Sequence, residues 1–185
     1  MSTVVDVRGT QAAAGYDPVA RIFHWLTVLL VLAQFIVGWT MPDVRRGVKP
    51  VGLIHWHLVL GSSLLVIVAL RLAWRLTHRP PPPPLGLPLW QKRAADITHG
   101  LLYVLLLAVP ITGWIAASVR IWVVRAFGLL PLPQIMPPFA KIGFRVGDIH
   151  GGVLVWTLLV VVVLHVLAAL YHRFVLRDTV LNRML

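Results

Sequence analysis

The chain has 185 residues, of which 58% are apolar and 12% are charged, and its mean hydropathy is +0.84. This composition excludes an ordinary soluble domain and a disordered chain, because no water-soluble protein of this size buries so much apolar surface. The net charge of +11 is, in so apolar a chain, typical of basic residues that flank membrane spans and meet anionic lipid rather than nucleic acid.

Four uncharged segments are long enough to cross the hydrocarbon core of a membrane, which takes about 20 helical residues. They are residues 22–42, 50–70, 97–119 and 149–172. Their continuous Leu- and Val-rich character predicts helices rather than the alternating strands of a barrel. With the basic helix ends included, the expected spans are 22–42, 50–76, 97–119 and 149–175. The sequence thus predicts an all-α, integral membrane four-helix bundle over residues 16–185, after a flexible N-terminal tail at residues 1–15.

The connections between the spans are rich in proline. Residues 80–84 are five consecutive prolines and predict a stiff, extended spacer between the second and third helices. Residues 126–140 are uncharged but contain four prolines, which predicts a loop lying against the membrane surface. Pro110 falls inside the third span, where it predicts a kink.

Basic residues indicate the orientation of the bundle. Four spans place both termini on one side, and with the termini inside, ten Lys and Arg lie inside and seven lie outside. This bias favours cytoplasmic termini. The outer loops are nevertheless basic, with a net charge of +5. They carry Arg45, Arg46, Lys49, Arg120, Arg125, Lys141 and Arg145 against Asp43 and Asp148.

The metal chemistry open to this chain is that of imidazole. The sequence has eight histidines but no cysteine and no glutamate, which excludes iron–sulfur clusters, thiolate zinc sites, covalent c-type haem and glutamate di-iron sites. A single intramembrane histidine also serves as interhelical hydrogen-bond glue. Several histidines without carboxylate partners favour b-type haem held by axial imidazoles. The uncharged spans contain His24, His55, His57, His99, His150, His165 and His172.

Helical geometry pairs four of these histidines at two depths. His150 and His165 are fifteen residues apart, which is about 22 Å along a helix and about 60° in rotation. The last helix therefore offers one inward ligand near each membrane face. With antiparallel neighbours, His24 pairs with His165 near the inner face, and His57 pairs with His150 near the outer face. This arrangement predicts two stacked haems.

His55 and His57 cannot both face the centre of the bundle, because residues at positions i and i+2 point to nearly opposite sides of a helix. Glycines on neighbouring positions favour His57. Gly61 lies one turn from His57 on the same face, and Gly38 lies fourteen residues after His24 on nearly the same face. A missing side chain at either position makes room for a flat macrocycle, although close helix packing is the alternative role. Gly113 stands in the same relation to His99.

Further polar residues near the inner face are candidates for other roles. His99 is a rival axial ligand, and His172 lies seven residues beyond His165 on the same face. Both are candidates for a quinone site or a proton relay. Arg71 is placed to pair with haem propionates or, alternatively, to reach lipid phosphate.

Several motifs resemble the bacterial cytochrome b561 family. Residues 16–25 read YDPVARIFHW, residues 54–61 read IHWHLVLG, and residues 164–172 read LHVLAALYH, followed by Arg177-Asp178 and residues 183–185, RML. Residues 99–113, with Tyr103 and Pro110, are similar to the family's third helix. The resemblance covers residues 16–185.

The resemblance implies a bacterial inner-membrane protein that binds two b haems through His24, His57, His150 and His165. The last two ligands are fourteen residues apart in relatives but fifteen apart here, so either the helix is locally adjusted or its entry is shifted by one residue. The resemblance further implies superoxide oxidation with electrons passed to ubiquinone. A basic outer rim fits an anionic substrate. The expected rim residues are Lys141 and Arg145, with Arg45, Arg46 and Lys49 before the second helix.

Two other functions compete with this one. A cytochrome anchor subunit that carries electrons between a partner dehydrogenase or hydrogenase and quinone would also be a helical di-haem protein, and its basic surface would dock an acidic partner. The second alternative is a haemless scaffold, in which the histidines only form hydrogen bonds between helices. The cost of placing so many histidines in a membrane argues against this scaffold.

Overall fold

The computed structural model describes residues 15–45, 47–82 and 87–185, and it contains four long helices. All four are long and apolar enough to cross a membrane, which confirms the predicted all-α membrane bundle. They are α1 (Pro18–Thr40), α2 (Leu53–Thr77), α3 (Leu89–Ser118) and α4 (Lys141–Leu176). Most of the predicted tail, the rim residue Arg46 and the last two prolines of the spacer lie outside the described residues.

The helices extend beyond the apolar segments that predicted them. α3 begins at Leu89 rather than at residue 97, and α4 begins at Lys141 rather than at residue 149. A charged side chain marks the edge of the hydrocarbon core, but it does not interrupt backbone hydrogen bonding, so the helix continues. α1 begins at a defined cap, where the Asp17 carboxylate accepts a hydrogen bond from the Ala20 amide at 2.9 Å.

Neighbouring helices run antiparallel around a small apolar core. Its buried side chains are Val31, Leu64, Val68, Leu105, Leu106, Leu158 and Val161. Many large apolar side chains remain exposed on the outer surface of the bundle, such as Leu29 at 63% and Trp39 at 58%. Exposure of this kind is unfavourable in water but suits a surface surrounded by acyl chains.

Both described chain termini lie at one end of the bundle, called the inner end below, and the opposite end is called the outer end. The C-terminal residues turn back over the start of α1, where the Tyr16 amide donates to the Arg183 carbonyl at 3.0 Å. Trp25 Nε1 and Arg21 Nη1 donate to the carbonyl oxygens of Met184 and Leu185. These bonds fasten the C-terminal segment across the inner end.

α4 is not a uniform α-helix. Its Lys141–Ile149 and Val155–Tyr171 parts are α-helical, and a π-helical turn at His150–Leu154 joins them. A π turn accommodates one additional residue per turn. The fifteen-residue spacing of His150 and His165 therefore acts as about fourteen residues, and their rotation about the axis falls from about 60° to about 40°. Of the two alternatives, the helix is locally adjusted.

The connector between α3 and α4 contains a short hairpin. Its strands, β1 (Arg125–Ala126) and β2 (Leu130–Pro131), pair antiparallel and pack against α2. Ala126 is fully buried in this contact. The sequence predicts only a loop here, because a two-residue strand leaves no periodic pattern.

Candidate cofactor sites

Two histidines from α2 and α4 face each other near the outer end. The ring centres of His57 and His150 are 6.2 Å apart, and the ring planes are nearly perpendicular at 85°. His55 is exposed and its ring lies beside Trp56. The structure therefore brings together the predicted pair and leaves His55 outside it.

A cavity of about 250 Å³ lies next to this outer pair, and both histidines line it. Three glycines on different helices leave room around the rings. A Cβ atom on Gly38 would lie 3.4 Å from His57 Cε1, and one on Gly113 would lie 3.1 Å from His150 Cε1. Gly113 thus faces His150, so that it borders the outer pair from α3 as Gly38 does from α1. Backbone approach from α1 and α3 keeps the space beside the imidazoles open.

The two histidines of the outer pair differ in the hydrogen-bond partner of Nδ1. His150 Nδ1 lies 2.9 Å from the Val109 carbonyl oxygen, so this nitrogen carries the proton and donates. That bond leaves His150 Nε2 with a free lone pair, which is the arrangement of a metal-ligating histidine. His57 Nδ1 is buried without a hydrogen-bond partner.

Gln34 is a lining residue of the outer cavity that sequence reasoning missed. Its Nε2 atom lies 2.7 Å from the position of a Cβ on Gly61, so the glycine provides space for the Gln34 side chain as well as for the cavity. The carboxamide oxygen of Gln34 is buried without a partner. The available signal was a lone glutamine in the middle of an uncharged span, where a polar side chain is costly.

Three histidines meet near the inner end. The ring centres of His24 and His165 are 6.5 Å apart at an interplanar angle of 72°, and those of His99 and His165 are 5.4 Å apart at 67°. The structure thus brings His24 and its rival His99 to the same partner. His172 is about two turns further along α4, at the inner end.

Arg71 reaches into this inner group. Its Nη2 atom donates to His24 Nδ1 at 3.0 Å, and its guanidinium lies 5.5 Å from the ring centre of Tyr103. Because arginine only donates, His24 Nδ1 accepts in this arrangement. A cavity of only about 40 Å³ lies beside Arg71, and its lining includes Trp74, Arg75 and Met184.

The separations of the histidine pairs fit axial ligation of one metal. A metal–imidazole bond is about 2.0–2.1 Å long, and the bonded nitrogen lies about 1.1 Å from the ring centre, so two opposite imidazoles have ring centres about 6.3 Å apart. The separations of 6.2 Å and 6.5 Å match this value, whereas 5.4 Å is too short. Within the described ranges, no three His or Asp side chains converge as ligands of a bare metal ion. The residues present therefore fit a haem at each pair.

The basic residues of the outer end are mostly exposed. Lys141 and Arg145 lie one turn apart at the start of α4, and Lys49 is exposed before α2. Arg45 forms an exposed ion pair with Asp43 at 3.3 Å. Arg120 instead packs beside Phe144 and donates to the Ala116 carbonyl, and burial lowers its pKa. Among the described exposed cations, Arg145 is nearest in sequence to a cavity histidine, five residues before His150.

A histidine–carboxylate pair closes the inner end of α4. His172 Nδ1 lies 2.5 Å from Asp178 Oδ2, and the other carboxylate oxygen of Asp178 accepts from the Val180 amide. Both side chains are partly exposed. The pair gives His172 a carboxylate partner and partial access to solvent.

Comparisons with known proteins identify the family. The family model described as prokaryotic cytochrome b561 matches residues 15–185. Cytochrome b561 homolog 2 of Escherichia coli (strain K12) is 28% identical over 180 residues, covering 95% of this chain and 94% of that protein. Cytochrome b562 of Cereibacter sphaeroides is 30% identical over 177 residues, covering 92% and 95%.

A third relative carries a more specific name. The Probable superoxide oxidase CybB of Yersinia pestis is 33% identical over 178 residues, covering 88% of this chain and 90% of that protein. The residues matched by the family model span all four helices and both histidine pairs. The chain therefore belongs to the prokaryotic cytochrome b561 family, whose members are membrane proteins that bind b-type haem.

Proposed function

We propose that this protein is a di-haem cytochrome b of the bacterial inner membrane that oxidises superoxide at its outer end and reduces ubiquinone. The observation that carries the proposal is the presence of two histidine pairs, each with the ring separation of axial ligands, at opposite ends of the bundle. Along α1, the level of His24 and the level of Gly38, which faces His57, are about 21 Å apart. The termini are cytoplasmic in this orientation.

The proposed axial ligands are His57 with His150 and His24 with His165. When bound at these pairs, b-type haem supplies one-electron oxidation and reduction. An imidazole that binds iron through Nε2 carries its proton on Nδ1 and becomes a donor there. His24 would then release Arg71, because two donors cannot share a bond. The freed guanidinium is a suitable partner for a haem carboxylate, and Gly38 and Gly61 border the outer cofactor.

The outer end supports superoxide as the electron donor. Superoxide is an anion, and the exposed Lys141 and Arg145 begin the helix that carries His150 five residues later. Cations at the mouth of a low-dielectric site raise the encounter rate of an anionic substrate. The relative named Probable superoxide oxidase CybB matches this chain over 90% of its own length. We assign Lys141 and Arg145 to steering, not to electron transfer.

The inner end supports proton supply to the quinone. Oxidation of two superoxide ions yields two O₂ and two electrons, and reduction of ubiquinone to ubiquinol consumes two electrons and two protons. His172, paired with Asp178 at the inner surface, is placed to take up a proton from the inner side and pass it on. His99, beside His165, is placed to hydrogen-bond a quinone headgroup.

The first experiment measures cofactor and donor together. We expect the purified chain in detergent to contain two b haems per polypeptide and its Soret band to shift when superoxide is generated in the sample. The rate should fall as ionic strength rises, because salt screens the steering charges. A colourless chain, or a haem protein that superoxide does not reduce, would refute the proposal.

Charge reversal tests the steering role against a matched control. The Lys141→Asp and Arg145→Asp double variant should lower the superoxide reaction rate by about tenfold, the lower range for electrostatic steering. The control is Lys92→Asp with Arg173→Asp, which makes the same change in net charge among exposed residues of the inner end. An equal loss of rate in both variants would contradict a rim at the outer end.

A cytochrome anchor subunit is the alternative outcome. In that case the exposed cations of the outer end would dock an acidic redox subunit. Purification from membranes in mild detergent would then yield a stoichiometric complex, and superoxide would not reduce the isolated chain.

A further inference from the structure

The connector between α3 and α4 has the surface of a membrane-embedded segment. Residues 121–139 contain a single charged residue, Arg125, and four prolines. Seven large apolar side chains of this segment are exposed by 41% to 81%. They are Ile121, Val123, Phe127, Leu129, Leu130, Ile135 and Phe139. An apolar surface this continuous is rarely left in water.

The hairpin of this connector lies well below the outer end of α2. The Phe127 amide donates to Ser63 Oγ at 2.7 Å, and Ser63 is ten residues after the first residue of α2. This distance corresponds to about 15 Å along the helix. Ser63 is also six residues beyond His57, so the hairpin tip is about 9 Å further from the outer end than the outer histidine pair.

Many backbone amides of the connector have a partner within the protein. In hydrocarbon, every backbone polar group must find a partner within the protein. The amides of Gly128, Leu129 and Leu132 donate to carbonyl oxygens of the same segment. The Ile135 amide donates to Ser118 Oγ, and the Phe139 amide donates to the Val119 carbonyl. Each proline removes a donor that would otherwise need a partner.

We propose that residues 121–139 form a re-entrant segment that dips into the outer leaflet beside α2, with lipid acyl chains covering Phe127, Leu129 and Leu130. Arg125 does not prevent this placement, because it precedes the tip of the hairpin by two residues and its side chain is long enough to reach towards the headgroups. The segment closes the lipid-facing side of α2 at Ser63 and leaves the basic start of α4 at the water interface.

The absence of cysteine from the sequence allows a direct measurement. Leu129→Cys, at the most exposed apolar position of the hairpin, would carry an environment-sensitive fluorophore in nanodiscs that contain phospholipids with brominated acyl chains. The controls are Leu29→Cys, on the exposed surface of α1, and Lys49→Cys, in the exposed loop before α2. The haem absorbance of each variant reports that the bundle is folded.

We expect the probe at residue 129 to be quenched by bromolipid as strongly as the probe at residue 29, and to resist a water-soluble quencher. Quenching like that of residue 49 would overturn the proposal, because the hairpin would then lie in water. Protection from both quenchers would also overturn it, because a second copy or a partner subunit would then cover the hairpin.

A second inference concerns the outer cavity. Two buried side-chain polar atoms of the described residues lack a hydrogen-bond partner, Gln34 Oε1 and His57 Nδ1, and both residues line this cavity. Buried polar atoms without partners are costly, so native structures rarely keep them. The two atoms are complementary, because an amide oxygen only accepts and a metal-bound histidine donates from Nδ1.

The positions of the two side chains allow them to meet. On α1, Gly38 faces His57, and Gln34, one turn earlier, faces Gly61. On α2, His57 and Gly61 are likewise one turn apart, so Gln34 is offset from the imidazole by a single turn. The space above Gly61 lets the long carboxamide side chain turn towards His57. His150, the opposite member of the pair, already donates to the Val109 carbonyl.

The structure assigns Gln34 as the positioning residue of His57: Gln34 Oε1 accepts a hydrogen bond from His57 Nδ1 when His57 Nε2 binds iron. The assignment rests on the proposed function. This bond raises the basicity of the imidazole and favours the oxidised form of the outer haem. Gln34→Met keeps the side-chain size but removes the acceptor. Gln34→Glu, as a carboxylate, is a stronger acceptor.

A potentiometric titration of both haems tests this assignment. Gln34→Met should raise one midpoint potential and Gln34→Glu should lower the same one, each by about a tenfold change in the reduction equilibrium, or 59 mV for one electron. Thr27→Val is the control, since it removes a buried hydroxyl of α1 that bonds to the Phe23 carbonyl. Unchanged potentials, or shifts of the same sign in both variants, would refute the assignment. If the variants still bind two haems, the proposed function stands whatever the potentials show.

Discussion

The outer and inner histidine pairs have similar ring separations but different surroundings. The outer pair lies beside a cavity of about 250 Å³, bordered by glycines from three helices and by no charged side chain. At the inner pair, Arg71 lies beside His24 and His99 lies beside His165. Glycine backbone therefore borders the outer site, whereas polar side chains lie around the inner one.

This difference separates two ways of preparing a protein for a flat cofactor. Because glycine has no side chain, the space beside the outer imidazoles does not depend on a rotamer change at the glycine positions. At the inner site, the Arg71–His24 bond would have to break if His24 held a haem through Nε2, because His24 Nδ1 would then carry a proton. The inner site exchanges one set of polar contacts for another. Substitutions should accordingly affect one site and spare the other.

The largest effect should come from the outer ligand itself. His57→Ala should remove one of the two haems, lowering the haem-to-protein ratio from about two to about one, because the outer site has no other histidine beside His150. Pyridine haemochrome analysis measures this ratio. His55→Ala is the matched control two residues away, and it should keep both haems. Equal haem loss in the two variants would mean that the glycine argument chose the wrong histidine.

At the inner site, the same experiment distinguishes two neighbours of His165. His24→Ala should lose the inner haem, whereas His99→Ala should keep both, because only the His24–His165 separation suits axial ligands. Haem content and the split of the reduced α band report the result. His99→Ala should instead slow quinone reduction. Two haems retained by His24→Ala would exclude this residue as the ligand.

A smaller effect should follow from filling the outer site. Gly113→Val places a Cβ about 3.1 Å from His150 Cε1 and adds two methyl groups beyond it. We expect haem retention at the outer site to weaken about tenfold, the lower range for disturbing the support of a metal ligand. Transfer of haem to apomyoglobin measures retention. Gly100→Ala on the same helix has open space around it and should leave retention unchanged.

Removing the inner cation should shift a potential rather than lose a cofactor. Arg71→Met takes away the positive charge that lies beside His24. The reduced haem carries one more negative charge than the oxidised haem, so its midpoint potential should fall by roughly 59 mV, a tenfold change in equilibrium. A redox titration with both haems resolved checks this value. A shift of the outer potential alone would show that Arg71 serves the other site.

The smallest effect should come from the cap of α1, which is distant from both pairs. Hydrogen bonds from the Ala20 amide and from Trp74 Nε1 hold the pKa of Asp17 below its usual value. The ionised carboxylate therefore stabilises the fold above the unfolded pKa, and this contribution is lost as the pH falls through the folded pKa.

Asp17→Ala should lower the thermal midpoint in detergent by a few degrees at neutral pH, and the difference from the original chain should shrink as the pH falls below 3.8. Asp17→Asn keeps an acceptor at the cap and should lose less. A difference that grows on acidification would contradict this interpretation. Unchanged haem spectra in both variants would show that the cap acts on stability alone.

Much of the bundle could be predicted because its signals are local. Span length and hydropathy identified the four helices, and helix periodicity with antiparallel packing brought the predicted histidine pairs together. Gly61 pointed towards His57, and His57 faces the cavity while His55 does not. The helix ends were less accurate, since the sequence marks where charge begins and not where hydrogen bonding stops.

Composition and periodicity by themselves determined that this chain is a membrane helix bundle with imidazole pairs at two depths, because both properties repeat along the chain. Only the tertiary structure decided how the extra residue after His150 is absorbed by a π turn, why Gly61 accommodates Gln34, and where the α3–α4 hairpin rests on α2. Each of these depends on which atoms from distant segments meet in space, and no local pattern records such a contact.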